Sequence, residues 1–182
     1  WTWDGYVAYD STRHNQTMHD AVLKDRVQTL LNAADGGNAI CAGGFNPFGD
    51  TNARKLSQAC VNYLTASPQS TERLSQSQAQ LVVQGSLFDL PAGAVALAVQ
   101  GSYRRNTYDF TPDANLASQN VESILATAAA SGKIAVKELA TQIDVPVLRD
   151  LPFARQLNLG AAFRISDYTT SGSVQSYEGD FK

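Results

Sequence analysis

The chain has 182 residues, a formal net charge of −3, 43% hydrophobic residues and only 17% charged ones. That length can bury the core of one ordinary domain, and the low charge, set against the usual quarter, suits either a soluble β-rich protein or a chain with lipid on one side and a polar lumen on the other. The absence of a basic stripe argues against a nucleic-acid partner, and no apolar run reaches the length of a transmembrane helix, which leaves the weaker strand signal of a β-barrel open.

The first predicted element covers residues 1–12. Trp1, Trp3, Gly5, Val7 and Tyr9 fall on one side and Thr2, Asp4, Tyr6, Ala8 and Asp10 on the other, the period-two pattern of a strand with one apolar face. Its Trp and Tyr residues fit an interfacial aromatic girdle or, equally, an amphipathic strand of a soluble sandwich. Residues 13–75 form a long polar region. Within it Asp20 is expected to cap a short helix with Val22, Leu23, Val27, Leu30 and Leu31 on its apolar positions, ended by Gly36 and Gly37. A second short helix is expected over residues 51–64. So long a connection is unusual in a compact domain but ordinary for an extracellular barrel loop.

Alternation returns over residues 79–90, with Leu81, Val83, Gly85 and Leu87 on one face and Gln80, Gln84 and Ser86 on the other. Leu90-Pro91-Ala92-Gly93 reads as a tight turn. The next strand carries Val95, Leu97, Val99, Gly101 and Tyr103 on one face and Ala96, Ala98, Gln100, Ser102 and Arg104 on the other. Pro112-Asp113 breaks it, and residues 121–130 could form a turn or two of helix. A fourth strand starts near Lys133, with Leu139, Thr141, Ile143, Val145 and Val147 opposed to Glu138, Ala140, Gln142 and Asp144; Pro146 is placed near its end. Residues 149–156 make a short turn. The clearest alternation is residues 157–168, where Leu157, Leu159, Ala161, Phe163 and Ile165 oppose Asn158, Gly160, Ala162, Arg164, Ser166 and Tyr168. A compact turn over residues 169–172 leads to a sixth strand from Ser173.

The fold class expected is therefore all-β: an antiparallel meander of about six long strands forming part of a transmembrane β-barrel, with short helices in long extracellular loops. Short turns at one end and long connections at the other are the outer-membrane pattern. A soluble up-and-down barrel would also alternate, but with its apolar face inside and shorter loops. The chain opens on Trp1 rather than Met, shows no signal peptide and stops at Lys182 within a strand-like segment, so a piece of a longer protein is expected.

Several segments, in order, resemble the barrel of TonB-dependent outer-membrane receptors. They are Phe45-Asn46-Pro47-Phe48-Gly49, the hairpin Gly85-Ser86-Leu87-Phe88-Asp89-Leu90-Pro91-Ala92-Gly93 with Tyr103-Arg104-Arg105 after it, Val136-Lys137-Glu138-Leu139 leading to Val145-Pro146-Val147-Leu148, Ala162-Phe163-Arg164-Ile165-Ser166-Asp167-Tyr168 and Tyr177-Glu178-Gly179-Asp180-Phe181-Lys182. Each is weak alone; together they span most of the chain. The resemblance implies that residues 1–182 are part of a 22-stranded barrel, with the plug and remaining strands absent. It also implies a bacterial outer-membrane location, contacts with lipid and with the parent protein's N-terminal plug, energy from TonB through that plug, and uptake of a scarce small-molecule nutrient: a siderophore, a vitamin or an oligosaccharide.

Cys41 and Cys60, the only cysteines, share one long loop, and the periplasm and cell surface are oxidising; a disulfide is expected. Ligand contacts are expected from the loops, at Phe45, Asn46, Asp50, Tyr108, Asp109 and Asp113, whose aromatic, amide and carboxylate groups suit a polar ligand. Arg104, Glu138, Gln142, Asp144 and Arg164 project to the polar face, as lumen-facing groups that either hold a plug or are solvated. His14 and His19, beside Asp10 and Asp20, read as solvated polar residues rather than metal ligands. No Gly-x-Ser-x-Gly context accompanies the serines, and neither an enzyme nor a cofactor is implied. A passive porin-like wall and a soluble β-domain that binds a carbohydrate or protein are the competing readings.

Overall fold

The computed structural model describes residues 1–48, 55–152 and 154–182. In chain order the elements are β1 (Thr2–Thr17), β2 (Ala21–Val22), α1 (Lys24–Leu31), α2 (Gln58–Leu64), β3 (Thr65–Ala66), β4 (Gln69–Leu90), β5 (Gly93–Thr111), α3 (Ala114–Ala117), β6 (Ala130–Leu151), β7 (Ala154–Tyr168) and β8 (Gly172–Phe181). Six strands form one meander in the order β1-β4-β5-β6-β7-β8, so each lies beside its nearest long neighbour in the chain. The small β2-β3 ladder pairs Ala21 with Ala66 and Val22 with Thr65.

Several strands outrun their apolar alternation. β1 continues to Thr17, and β4 starts at Gln69 rather than near residue 79. Polar side chains do not prevent backbone pairing, and here they reinforce it: Gln78 Nε2 donates to the Tyr6 hydroxyl at 2.5 Å, Thr71 Oγ1 to Asn15 Oδ1 at 3.0 Å and Gln76 Nε2 to Asn106 Oδ1 at 2.9 Å. Cross-strand pairs of this kind stabilise a sheet much as spaced pairs stabilise a helix. At the tight-turn end Leu151 already pairs with Ala154, and Pro146 lies inside β6 next to an irregularity between Pro146 and Leu148. That irregularity accommodates a residue that cannot donate to the ladder.

The chain divides into two compact units, the first made of residues 1–12, 74–108 and 132–182 and the second of residues 13–73 and 109–131. In the first unit the register puts Leu139, Thr141, Ile143 and Val145 of β6 opposite Ile165, Phe163, Ala161 and Leu159 of β7. β8 continues the row with Gln175, Tyr177, Gly179 and Phe181. This face has nothing packed over much of it: Trp1 is 69% exposed, Trp3 75% and Leu159 46%. Phe163 and Tyr177 stack across strands with centroids 5.1 Å apart. Trp1 lies over Gly85, where an added Cβ would fall 2.6 Å from the indole. The glycine makes room for the ring, which in turn covers bare backbone.

The second unit has two small cores. Ala21, Leu23, Leu116 and Val121 bury one with Met18 and Ala66 against them; Leu30, Cys41, Cys60 and Leu64 bury the other, flanked by Val27, Ile40, Phe45, Leu56 and Tyr63. Cys41 and Cys60 form the expected disulfide, with Cα atoms 4.5 Å apart. Gly37 (φ +75°) lies against Leu30 and Phe45, where a side chain would be both strained and crowded.

Helix boundaries differ from expectation. Asp20 does not cap α1; it takes φ 54° in the turn before β2, and the helix begins after Leu23, which offers no side-chain cap. The cap comes from the other long connection instead. Asn120 accepts from Lys24 N–H through its backbone carbonyl (2.7 Å) and from Asp25 N–H through Oδ1 (3.0 Å), while its Nδ2 donates to Asn115 Oδ1 (2.9 Å). Replacing Asn120 with Ala is therefore expected to destabilise the second unit by about 1–2 kcal/mol, seen as faster hydrogen exchange at the first amides of α1. Helix α2 starts at Gln58, capped by the Ser57 hydroxyl, and Arg26 Nη1 donates to the carbonyls of Tyr63 (2.8 Å) and Thr65 (2.9 Å) at its C-terminal end. The helical turn expected over residues 121–130 forms earlier, as α3. Positive φ at Gln119 and Ser123 breaks helical continuity beyond it.

Candidate functional site

The polar face of the first unit gathers most of the predicted wall residues. Glu138, Ala140, Gln142 and Asp144 of β6 face Ser166, Arg164, Ala162 and Gly160 of β7, and β8 adds Val174, Ser176, Glu178 and Asp180 in the same rows. Glu138 is the best-held charge. Ser166 Oγ donates to its Oε1 at 2.8 Å and Ser102 Oγ to its Oε2 at 3.4 Å, with Ser166 itself 6% exposed. The Ser102 bond places even-numbered residues of β5 on this face, and so Arg104 with them. Gln142 Nε2 donates to Asp144 Oδ2 at 3.2 Å. Arg164 stands between Ala140 and Ser176 with Glu138 and Glu178 on the diagonals, and makes no ion pair among the described residues.

A cavity of about 390 Å³ on this face is bounded by Val82 of β4 at one side and Glu178 of β8 at the other. On a flat sheet those strands would lie roughly 19 Å apart, so the unit curls toward its polar face. Ala98, Ala140 and Ala162 form its floor, and Gln100, Gln142, Arg164 and Glu178 supply donors and acceptors. Such a surface can hydrogen-bond water or a polar segment. It aligns no nucleophile with a base, and among the described residues no group of three or more His, Cys, Asp and Glu is placed to hold a metal ion. His14 Nδ1 lies 3.8 Å from Glu72 Oε2 on an exposed part of the sheet.

The structure does not gather the predicted ligand contacts into one pocket. Phe45 is partly buried against the disulfide core, and Asn46 Oδ1 accepts from Phe48 N–H at 3.1 Å. Asp50 lies outside the described residues. Tyr108 belongs to the first unit and Asp109 to the second. Asp113 caps α3. Its Oδ1 accepts from Asn115 N–H (2.8 Å) and Nδ2 (3.0 Å), and its Oδ2 accepts from Gln69 N–H at 3.4 Å. The Asn115 N–H holds the Asp113 carboxyl below the ordinary carboxylate range, outweighing a smaller opposing effect of burial. Asp35 is lowered as well, by the amides of Ala39 and Gly37. A depressed folded-state pKa contributes stability above the unfolded carboxylate pKa, and that stability is lost as pH falls through the folded value. The protection of the Ala117 and Asn120 amides against hydrogen exchange, taken relative to the intrinsic rate at each pH, is thus expected to fall below about pH 4, and Asp113→Asn to flatten that acid dependence.

No pattern in the sequence points to the parts that Ser102, Ser166 and Asn120 play. Each is a small polar residue whose importance depends on a partner far away in the chain, and no local spacing announces it. Comparison with protein-family models, curated proteins and solved structures finds no match to this chain.

Proposed function

We propose that this chain is a section of the wall of a TonB-dependent outer-membrane receptor, a barrel that imports a scarce small-molecule nutrient. The observation that carries the membrane part of this reading is the distribution of charge on the two faces. On the apolar face of β7 the residues between Arg155 and Asp167 are Leu157, Leu159, Ala161, Phe163 and Ile165. At the 45° tilt of a barrel strand that interval is roughly 29 Å high, against an apolar band of about 25 Å. β6 reaches its first upper charge on this face at Lys137, opposite Asp167. The opposite face holds Gln100, Gln142, Glu138, Asp144 and Arg164 and is the one toward which the unit curls. That is the reverse of a soluble ligand-binding barrel.

The edge strands β1 and β8 suit a wall that continues into further strands, since closure is how barrels in lipid satisfy backbone groups. The receptor part of the reading rests on the ordered sequence motifs, and it assigns the polar face to the lumen and its plug. The tight turns after β4 and β6 then belong to the periplasmic rim, and the long connections to the cell surface.

Trp1 and Trp3 are the only tryptophans, and Trp1 lies over Gly85 on the face this reading gives to lipid. Their fluorescence in lipid vesicles is expected to be quenched by bromine carried on the acyl chains, and the chain to stay dispersed only with detergent or lipid. A monodisperse chain in plain buffer whose tryptophans ignore brominated lipid would end the membrane reading. The parent gene is expected to encode a plug upstream; a reading frame without one would favour a passive channel wall.

A further inference from the structure

The second unit holds a partly open cavity of about 150 Å³ apart from the polar face described above. It is lined by Met18, Phe110, Leu116 and Ile124, with Ser70 and Gln16 as polar residues. Ser70 is 6% exposed, and neither its hydroxyl nor the Gln16 amide forms a side-chain hydrogen bond among the described residues. The Ser70 Oγ is not among the fully buried atoms left without a partner, where Asn158 Oδ1 stands, so the hydroxyl keeps solvent contact and can be reached by an occupant of the cavity. No charged residue lines the space, which disfavours an ion. A cavity of this order accepts one aromatic ring.

We infer that this cavity is a binding site for a small uncharged aromatic group bearing one hydroxyl or carbonyl, with its ring against Phe110 and Leu116 and its polar atom on Ser70. The inference uses residues of the second unit alone and stands apart from the wall reading. The two have different tests, so either can fail without the other. Because Met18 is the only methionine, a chain labelled with 13C-methyl methionine gives one methyl signal from the cavity wall. Phenol is expected to shift that signal saturably, and toluene to do so more weakly. Ser70→Ala should weaken phenol about fivefold, the loss of one hydrogen bond, and leave toluene nearly unchanged. Ile124→Trp, which places a ring at the partly exposed rim, should abolish saturation for both while the free-state spectrum remains folded. A shift that rises linearly with phenol in the parent chain and in Ile124→Trp alike would mean partition into detergent with only water in the cavity, and would overturn the inference. Saturable binding with equal phenol affinity in Ser70→Ala would overturn the assigned polar contact.

Discussion

Leu159→Arg is expected to destabilise the sheet in lipid by about 2–4 kcal/mol, the cost of an Arg near the middle of a barrel's lipid face. Leu159 sits between Val145 and Phe181 on the uncovered face, and a rise from Ala154 at 45° puts it roughly 12 Å above the turn. The comparison substitution is Gln156→Arg, on the polar face of the same strand, where the change should stay within about 0.5 kcal/mol. Denaturant titration of both variants in lipid vesicles measures the contrast. If Leu159 faced water, its 46% exposure would make arginine equally harmless there, and two near-zero values would refute the lipid-facing assignment. A large penalty at Gln156 and none at Leu159 would invert the faces.

Removing the disulfide through the paired substitution Cys41→Ala and Cys60→Ala is expected to cost the second unit about 3 kcal/mol in the chain-entropy view. The bond closes a loop between residues 19 apart in sequence, and both half-cystines are buried with Leu30 and Leu64. This core is small, so few other contacts offset the loss of the crosslink. Hydrogen exchange should rise across α1 and α2, while the amides paired between β6 and β7 keep their protection. Unchanged exchange in α1 and α2 would show that apolar packing alone holds this unit.

That β6 and β7 are neighbours with matching apolar faces is legible in the sequence, because both alternate cleanly and a slip of one residue would turn every side chain to the wrong face. The register itself is not legible: the tight turn alone would set Leu139 against Ser166, and the irregularity between Pro146 and Leu148 shifts it to Ile165, with Glu138 against Ser166. The polar ends of β1 and β4 are not legible in this way. Residues such as Gln76 and Asn15 carry no apolar period, and their strand state comes from cross-strand backbone pairing. Local signals misplace the start of α1 for a related reason: Asp20 is a good local cap, but the helix uses Asn120 from a distant connection. Asp113 has the look of a ligand group because it is an acid beside a strand break. Its oxygens serve Asn115 and Gln69 instead, and only the folded chain reveals that.

By itself the sequence determined the all-β character, the order of the long strands and which face of each is apolar, because period-two patterning and Pro-Gly turn chemistry are local properties. It also identified the two cysteines able to pair. Tertiary structure decided how far each strand extends, that the first unit curls toward its polar face, that Ser102 and Ser166 clamp Glu138, and that the two long connections share one small core and one helix cap. These depend on contacts between residues far apart in the chain, whose geometry exists only after the backbone has folded and which a one-dimensional pattern does not encode.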